Sequence, residues 1–192
     1  MNFTKNTINF YEKIANDYSK SWDDIEIIKR ELNFFLEFIK GKKILDIGCG
    51  HGRDCKYFSE KGFETIGIDL SENFLKIAKK KSPLSKFAKM DMRKLNFPKE
   101  SFDGLWVCSS FLHIPQKNNK ETMKEFYRVL KKEGIMFIAV KLGKGEKIKN
   151  GKYDKLYSKK EFEKLIKNTG FHIQKSYINR HKKDWIIIFA TK

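Results

Sequence analysis

The stretch LDIGCGHGRD, residues 45–54, constrains this chain more than any other. It joins a short apolar run, KKILDIG, to a helical pattern, DCKYFSEKG, through glycines at alternate positions: Gly48, Gly50 and Gly52. Glycine at a strand-to-helix junction permits backbone angles closed to other residues and lets a ligand lie against bare main chain. In an open α/β sheet, ligands bind beyond the carboxyl ends of the strands, where the strand order reverses. The loop after the first strand is the usual place. The stretch therefore reads as a buried strand, a ligand loop and a packed helix.

The rest of the chain continues that alternation. Residues 7–39 read as helical: Tyr11, Ile14, Ala15 and Tyr18 share one face, and IEIIKRELNFFLEFIK repeats the pattern up to Gly41. FETIGID is a second strand. Ser71 is an N-cap for the helix ENFLKIAKKK, and Pro83 lies beyond its end. SKFAKMD and FDGLWVCSS are the third and fourth strands, NNKETMKEFYRVLKKEG is an amphipathic helix closed by Gly134, and IMFIAVK is the fifth strand. Strands alternating with helices over 43–141 predict a mostly parallel sheet covered on both faces, an α/β doubly wound fold. GKGEKIKNGKYDK reads as a loop, and SKKEFEKLIKNTG as a helix between Ser158 and Gly170. FHIQKSYIN and DWIIIFATK read as a terminal hairpin turning at RHKK. The expected organisation is a single domain over 1–192: N-terminal helices over 1–41, a ligand-binding core over 42–141, a loop over 142–157, and a terminal helix and hairpin over 158–192.

Composition excludes several classes. A chain of 192 residues, 40% hydrophobic with 17 Phe, can bury a real core and is not a disordered segment. No apolar run approaches the ~20 residues of a membrane span. The polar start, MNFTKNTINFYEK, lacks the apolar centre of a signal peptide, so a cytoplasmic protein with no membrane partner is expected. Cys49, Cys55 and Cys108 show no CxxC spacing, and with four scattered His there is no zinc signature. The thiols are read as reduced, and no metal is expected. The net charge of +17 comes from 36 Lys and only 5 Arg, spread along the chain. Phosphate and base recognition leans on Arg forks, so a solvated lysine surface is preferred to a nucleic-acid footprint.

The glycine loop separates candidate ligands. Dinucleotide loops have the form GxGxxG; here the spacing is GxGxG, with Arg53 at the later position. Asp46 precedes the first glycine, where a carboxylate opposes a pyrophosphate and suits a cationic ligand. Asp69 ends the second strand, where a carboxylate can take both hydroxyls of a ribose. Asp91, after the third strand, is either a solvated turn acid or the acceptor of an adenine amino group, with Met92 packed on the ring.

LDIGCGHGRD, IGIDLSE, KMDMRKL, FDGLWVCSSFLHI and VLKKEGIMFIAVK, taken in order, resemble the successive motifs of class I S-adenosylmethionine-dependent methyltransferases. The resemblance covers about residues 43–141, and Lys131–Gly134 depart from it where many members have a Pro-Gly-Gly turn. It implies a seven-stranded Rossmann-like sheet with an antiparallel last strand and a leading helical lid. It also implies S-adenosylmethionine as cofactor: Asp46 and the Gly48–Gly50 loop at the methionine part, Asp69 at ribose, Leu70, Asp91 and Met92 around adenine. Cys49, Arg53 and Cys108 join them as candidate cofactor residues. His113, in CSSFLHIP, is a position that often reaches the site in this family, and it reads equally as a capping or packing residue. Ser109, Ser110 and Lys141 are further acceptor-site candidates. Tyr11 and Tyr18 are candidate catalytic residues on the lid; Trp22 is read as core packing. The [DNS]-P-P-[YFW] segment of amino-adenine enzymes is missing, since the stretch is CSSF, and Cys108 follows Val107 and not the Pro of carbon-5 cytosine enzymes. A small-molecule acceptor is therefore expected, ahead of tRNA or protein and ahead of a non-catalytic binding subunit.

Overall fold

A strand buried on both faces reads as a continuous apolar run, and β1 (Lys43–Ile47) is buried from Ile44 to Ile47. The computed structural model describes residues 3–180 and 184–192. In chain order the helices are α1 (Phe3–Ser21), α2 (Lys29–Phe38), α3 (Arg53–Glu60), α4 (Glu72–Lys81), α5 (Asn119–Val129) and α6 (Lys159–Lys167). The strands after β1 are β2 (Glu64–Asp69), β3 (Lys86–Lys89), β4 (Phe102–Cys108), β5 (Leu130–Lys141), β6 (Glu146–Lys149), β7 (Lys152–Lys155), β8 (His172–Arg180) and β9 (Asp184–Thr191).

The main sheet runs β3-β2-β1-β4-β5-β9-β8. The pairs among β1 to β5 are parallel. β9 is antiparallel to both β5 and β8, so the last strand is the antiparallel one, inserted inside the sheet. The chain steps outward from β1 to β3, then crosses back to β4. The order therefore reverses between β1 and β4, and a crevice opens at their carboxyl ends.

Alternation along the strands feeds two cores. Leu45, Leu105, Val107 and Ile138 face α5 and α6, which contribute Phe126 and Phe162. Ile44, Trp106 and Phe137 face α2 and α3, which contribute Phe35 and Phe58. Trp106 stacks on Phe137 at 3.8 Å between centroids, and its Nε1 donates to Asp54 Oδ2 at 2.8 Å. α1 packs across the crevice: Glu12 accepts from Glu72 N at 2.5 Å and from Asn73 N at 3.2 Å, satisfying free N–H groups at the start of α4.

The structure corrects the sequence reading in several places. The helical run over 7–39 is two helices, broken over residues 22–28, and Trp22 lies in that break, 44% exposed and stacked on Tyr18, not in the core. The helix expected to close at Gly134 ends at Val129; Leu130 is already extended and pairs with Phe102 on β4. The loop expected over 142–157 contains the antiparallel pair β6–β7, turning at Asn150–Gly151 with φ of 52° and 81°. These positive angles define a two-residue hairpin turn of the Asn-Gly kind. Most of the RHKK turn, residues 181–183, lies outside the described residues. Cys49, Cys55 and Cys108 are free thiols. Among the described residues no helix is long and apolar enough to cross a membrane.

Candidate active site

The crevice at the β1/β4 switch point is a cavity closed above by α1. Gly48 and Gly50 line it from the loop after β1, Asp69 and Leu70 from the end of β2, and Asp91 and Met92 from the turn after β3. Cys108 and His113 line it from β4 and the short 3₁₀ turn Phe111–His113 that follows, and Tyr11 and Tyr18 from α1. Ten of the sequence-derived candidates thus converge on one space.

The glycines have separate reasons. At Gly48, φ is +74°, and an added Cβ would stand 2.3 Å from Ser110 Cβ, so this glycine serves close packing of the β1 loop on the β4 exit. At Gly50, φ is +52° and an added Cβ would meet nothing within 4 Å. Its bare backbone borders open space. Asp69 ties the two loops together: Oδ2 accepts from Gly50 N at 3.0 Å and Oδ1 from Ser71 N at 2.8 Å. Burial pushes the Asp69 carboxyl up, against the pull of those backbone N–H groups. Each carboxylate oxygen keeps a further accepting site.

Three of the candidate cofactor residues do not line the cavity. Asp46 is 2% exposed behind the glycine loop and accepts from Cys55 Sγ at 3.1 Å. Burial, then the charge of Asp54, holds its carboxyl well above the usual range. Cys49 is buried beside Cys55 and Leu75. Arg53 is engaged behind the lining: its Nε donates to Asp54 Oδ1 at 2.7 Å and Nη1 to Trp22 O at 3.2 Å, pinning the α1–α2 connection. Asp91 is held by a neighbour, with Arg93 Nε 3.0 Å from both of its oxygens. Burial acts to raise the Asp91 carboxyl, and the bonds from Arg93 outweigh it, leaving it lowered.

Two residues lining the cavity begin a hydrogen-bonded chain. Tyr11 Oη lies 3.0 Å from His113 Nε2. His113 Nδ1 lies 2.8 Å from the Tyr153 carbonyl and 3.1 Å from Asp154 Oδ1. Both Nδ1 neighbours are acceptors, so Nδ1 carries the proton; Nε2 of the neutral ring then accepts from the Tyr11 hydroxyl. Burial, then the nearby Tyr18 phenol, raises the Tyr11 phenol well above its ordinary range, while burial pushes Tyr18 up to about 12. Both stay neutral at physiological pH. Ser109, at the exit of β4, holds φ at +58°, a strained angle for a residue with a side chain, and lines the same cavity with Ser110. Lys141 does not line it; its Nζ pairs with Asp154 Oδ2 at 2.6 Å. Tyr153 faces away, donating to Glu146 at 2.5 Å. Sequence reasoning missed Asp154, and also Thr4, Thr7 and Ile8 on the first turns of α1. The Asn-Gly pair that builds the Asp154 hairpin was the available signal. Among the described residues no cluster of His, Cys, Asp or Glu could hold a metal ion.

Comparison with known proteins agrees with this geometry. Residues 45–138 match the methyltransferase-domain family. The chain is 34% identical over 175 residues to the uncharacterized protein MJ1123 of Methanocaldococcus jannaschii, covering 85% of this chain and 82% of that one. It is 31% identical over 140 residues to the phosphoethanolamine N-methyltransferase of Plasmodium falciparum, 71% of this chain and 52% of that one. It spans 42% of a Bacillus subtilis relative, so it covers about half the length of two of the curated relatives it matches. The 1,6-didemethyltoxoflavin-N1-methyltransferase of Burkholderia thailandensis, solved with its acceptor and S-adenosylhomocysteine, superposes with a TM-score of 0.84, covering 99% of this chain and 88% of that one. At 17% identity that likeness concerns the fold. Ordered motifs, sheet order and relatives together place the chain among the class I S-adenosylmethionine-dependent methyltransferases, with S-adenosylmethionine as its cofactor.

Proposed function

We propose that this chain, as one domain over 1–192, transfers a methyl group from S-adenosylmethionine to a small-molecule acceptor held between α1 and the β4 exit. The observation that carries this reading is one cavity lined both by the carboxylates Asp69 and Asp91 and by the Tyr11–His113 pair. The residues fit the cofactor. Asp69 keeps accepting capacity for ribose hydroxyls after bonding Gly50 and Ser71. The open space at Gly50 admits a group against bare backbone. Met92 and Leu70 offer apolar walls beside Asp91. Bound there, S-adenosylmethionine supplies an activated methyl whose departure leaves a neutral thioether.

The chain's own residues supply placement, exclusion of water and proton handling. The acceptor atom must lie about 3 Å from the methyl, opposite sulfur, in a site closed to solvent. α1 provides the closure, fastened by Glu12 on α4 and by Tyr153 N on Thr7 Oγ1 at 3.0 Å. The Tyr11 and Tyr18 rings meet edge to face, 5.8 Å apart, and neutral aromatic walls suit a sulfonium. Tyr11 and His113 receive the proton of an acceptor that must lose one. The charged residues among those lining the cavity are Asp69 and Asp91, and no Lys or Arg is among them. This favours an uncharged or cationic acceptor over a phosphate-bearing one. The small acceptors in the names of the toxoflavin and phosphoethanolamine enzymes support the size class.

The experiment is label transfer from methyl-labelled S-adenosylmethionine to a panel of neutral nitrogen and oxygen acceptors. Phosphoethanolamine and bulk tRNA serve as comparators. The expected result is a labelled neutral small molecule, with turnover reduced about 10²-fold in His113→Ala and affinity for S-adenosylhomocysteine kept. Label appearing only in tRNA would contradict the reading, and label appearing only in phosphoethanolamine would contradict the preference for an acceptor without phosphate.

A further inference from the structure

The β6–β7 hairpin delivers an ionised carboxylate to the back of His113, and the methyl-transfer reading leaves that group without a task. Asp154, on β7, is 14% exposed and places Oδ1 3.1 Å from His113 Nδ1. Its other oxygen, Oδ2, is held at 2.6 Å by Lys141 from β5 and at 3.2 Å by Lys152 from β7. The two lysines fix the carboxylate, and Oδ1 has no hydrogen-bond partner of good geometry among the described residues. The His113 N–H is directed at the Tyr153 carbonyl, 2.8 Å away. A buried carboxylate oxygen left without a full partner, beside an imidazole whose far nitrogen accepts from a tyrosine in the cavity, has the arrangement of an orienting acid behind a base.

We infer that Asp154 is a positioning residue for His113: it fixes the Nδ1–H tautomer and stabilises the imidazolium formed when the Tyr11–His113 pair takes up the acceptor's proton. The catalytic meaning rests on the methyl-transfer reading above. The acceptor's X–H proton passes to Tyr11 Oη as the Tyr11 hydroxyl proton passes to His113 Nε2. The acceptor's electron pair forms the bond to the methyl carbon, and the pair of the broken carbon–sulfur bond stays on the thioether. Imidazolium later returns its proton to solvent. Asp154 gains no proton; its ionised oxygen faces the ring throughout. Burial opposes that charge, and the bonds from His113 and Lys141 overcome it, holding the carboxyl far below the usual range.

The charged and titratable groups around His113 come from several elements. Tyr11 faces it from α1, Asp69 acts on it from the end of β2, Lys141 from β5, and Asp154 and Lys152 from β7, where Tyr153 offers only its backbone carbonyl. Removing the charge of Asp154 leaves His113 opposite the two lysines. Removing Lys141 does the reverse. The two variants therefore move proton uptake by His113 in opposite directions, which a structural role for Asp154 does not produce.

The test is long-range ¹H–¹⁵N NMR of the full chain labelled at its four His, saturated with S-adenosylhomocysteine. His113→Gln identifies the resonance. The wild type is expected to show the Nδ1–H tautomer at His113. In Asp154→Asn proton uptake by the ring is expected to weaken, and in Lys141→Met to strengthen, because the opposite and the like charge are removed in turn. An Nε2–H tautomer in the wild type overturns the inference, as do midpoints that move together or stay put in folded variants. The tautomer reading needs only the His113→Gln assignment variant to fold, and all of these readings are independent of methyl transfer. Failure of label transfer with the NMR pattern intact sinks the methyl-transfer reading; the converse sinks the role of Asp154.

Discussion

Gly48 and Asp69 meet at the same bend and carry different loads. Gly48 holds a left-handed angle hard against Ser110, so its loss is a stability effect. Gly48→Ala is expected to destabilise the chain by about 1–3 kcal/mol, read as a lower urea midpoint; an unchanged midpoint would show that Ser110 yields freely. Tyr11→Phe removes the hydroxyl that His113 Nε2 accepts while keeping the ring. Turnover should fall with cofactor affinity kept, and equal losses in both would instead mark Tyr11 as a cofactor wall. The convergence of Asp69, Asp91 and His113 on one cavity was legible because each lies at a strand end or within a few residues after one, and strand ends converge at a switch point. Asp46, Cys49 and Arg53 do not line the cavity for a physical reason. Side-chain direction inside a tight loop depends on what packs behind it, here Cys55 and Asp54.

At the scale of elements, short caps and turns decide where each helix and strand begins. Ser158 Oγ accepts from Glu161 N at 3.2 Å and starts α6, far from the cavity. Ser158→Ala should cost about 1 kcal/mol, seen as a lower melting temperature with unchanged binding of S-adenosylhomocysteine. Ser71 and Ser158 were readable as caps because the chemistry is local. The break between α1 and α2 was not, because Ile25 and Ile28 keep a helix-like apolar pattern while packing as a bend against the α2 side of the sheet. The β6–β7 hairpin escaped notice because its exposed, lysine-rich β6 lacks apolar alternation; only Asn150–Gly151 marked it.

Across the whole molecule, the buried His51 couples the loop, the α1–α2 connection and α4. The residue is 4% exposed, neither ring nitrogen has a hydrogen-bond partner among the described residues, and Asp23 Oδ1 lies 3.5 Å from Nε2. Burial, then the charges of Lys81 and Arg53, lowers its pKa from 6.5 to about 4. The unfolded chain then binds more protons than the folded one between those values, so stability falls as pH falls through that window. A loss of about 1–3 kcal/mol is expected from this group. His51→Gln should flatten the dependence of melting temperature on pH over that range, whatever it does to the overall level; an unchanged slope would remove His51 from the account. The parallel core and the cavity's place were legible from alternation and the glycine loop, because those follow from backbone period. The antiparallel last strand and the closure by α1 were expected only from the family resemblance, and the hairpin's reach to His113 arises between segments far apart in sequence and had no local signal.

The most direct measurement is calorimetric titration of the folded wild type and of Asp69→Ala with S-adenosylhomocysteine, with NADH in parallel. The expected result is binding by the wild type, none to NADH, and loss of binding in Asp69→Ala with the fold intact. No binding by a folded wild type freed of copurified ligand, or full affinity in Asp69→Ala, would contradict the assignment of this cavity.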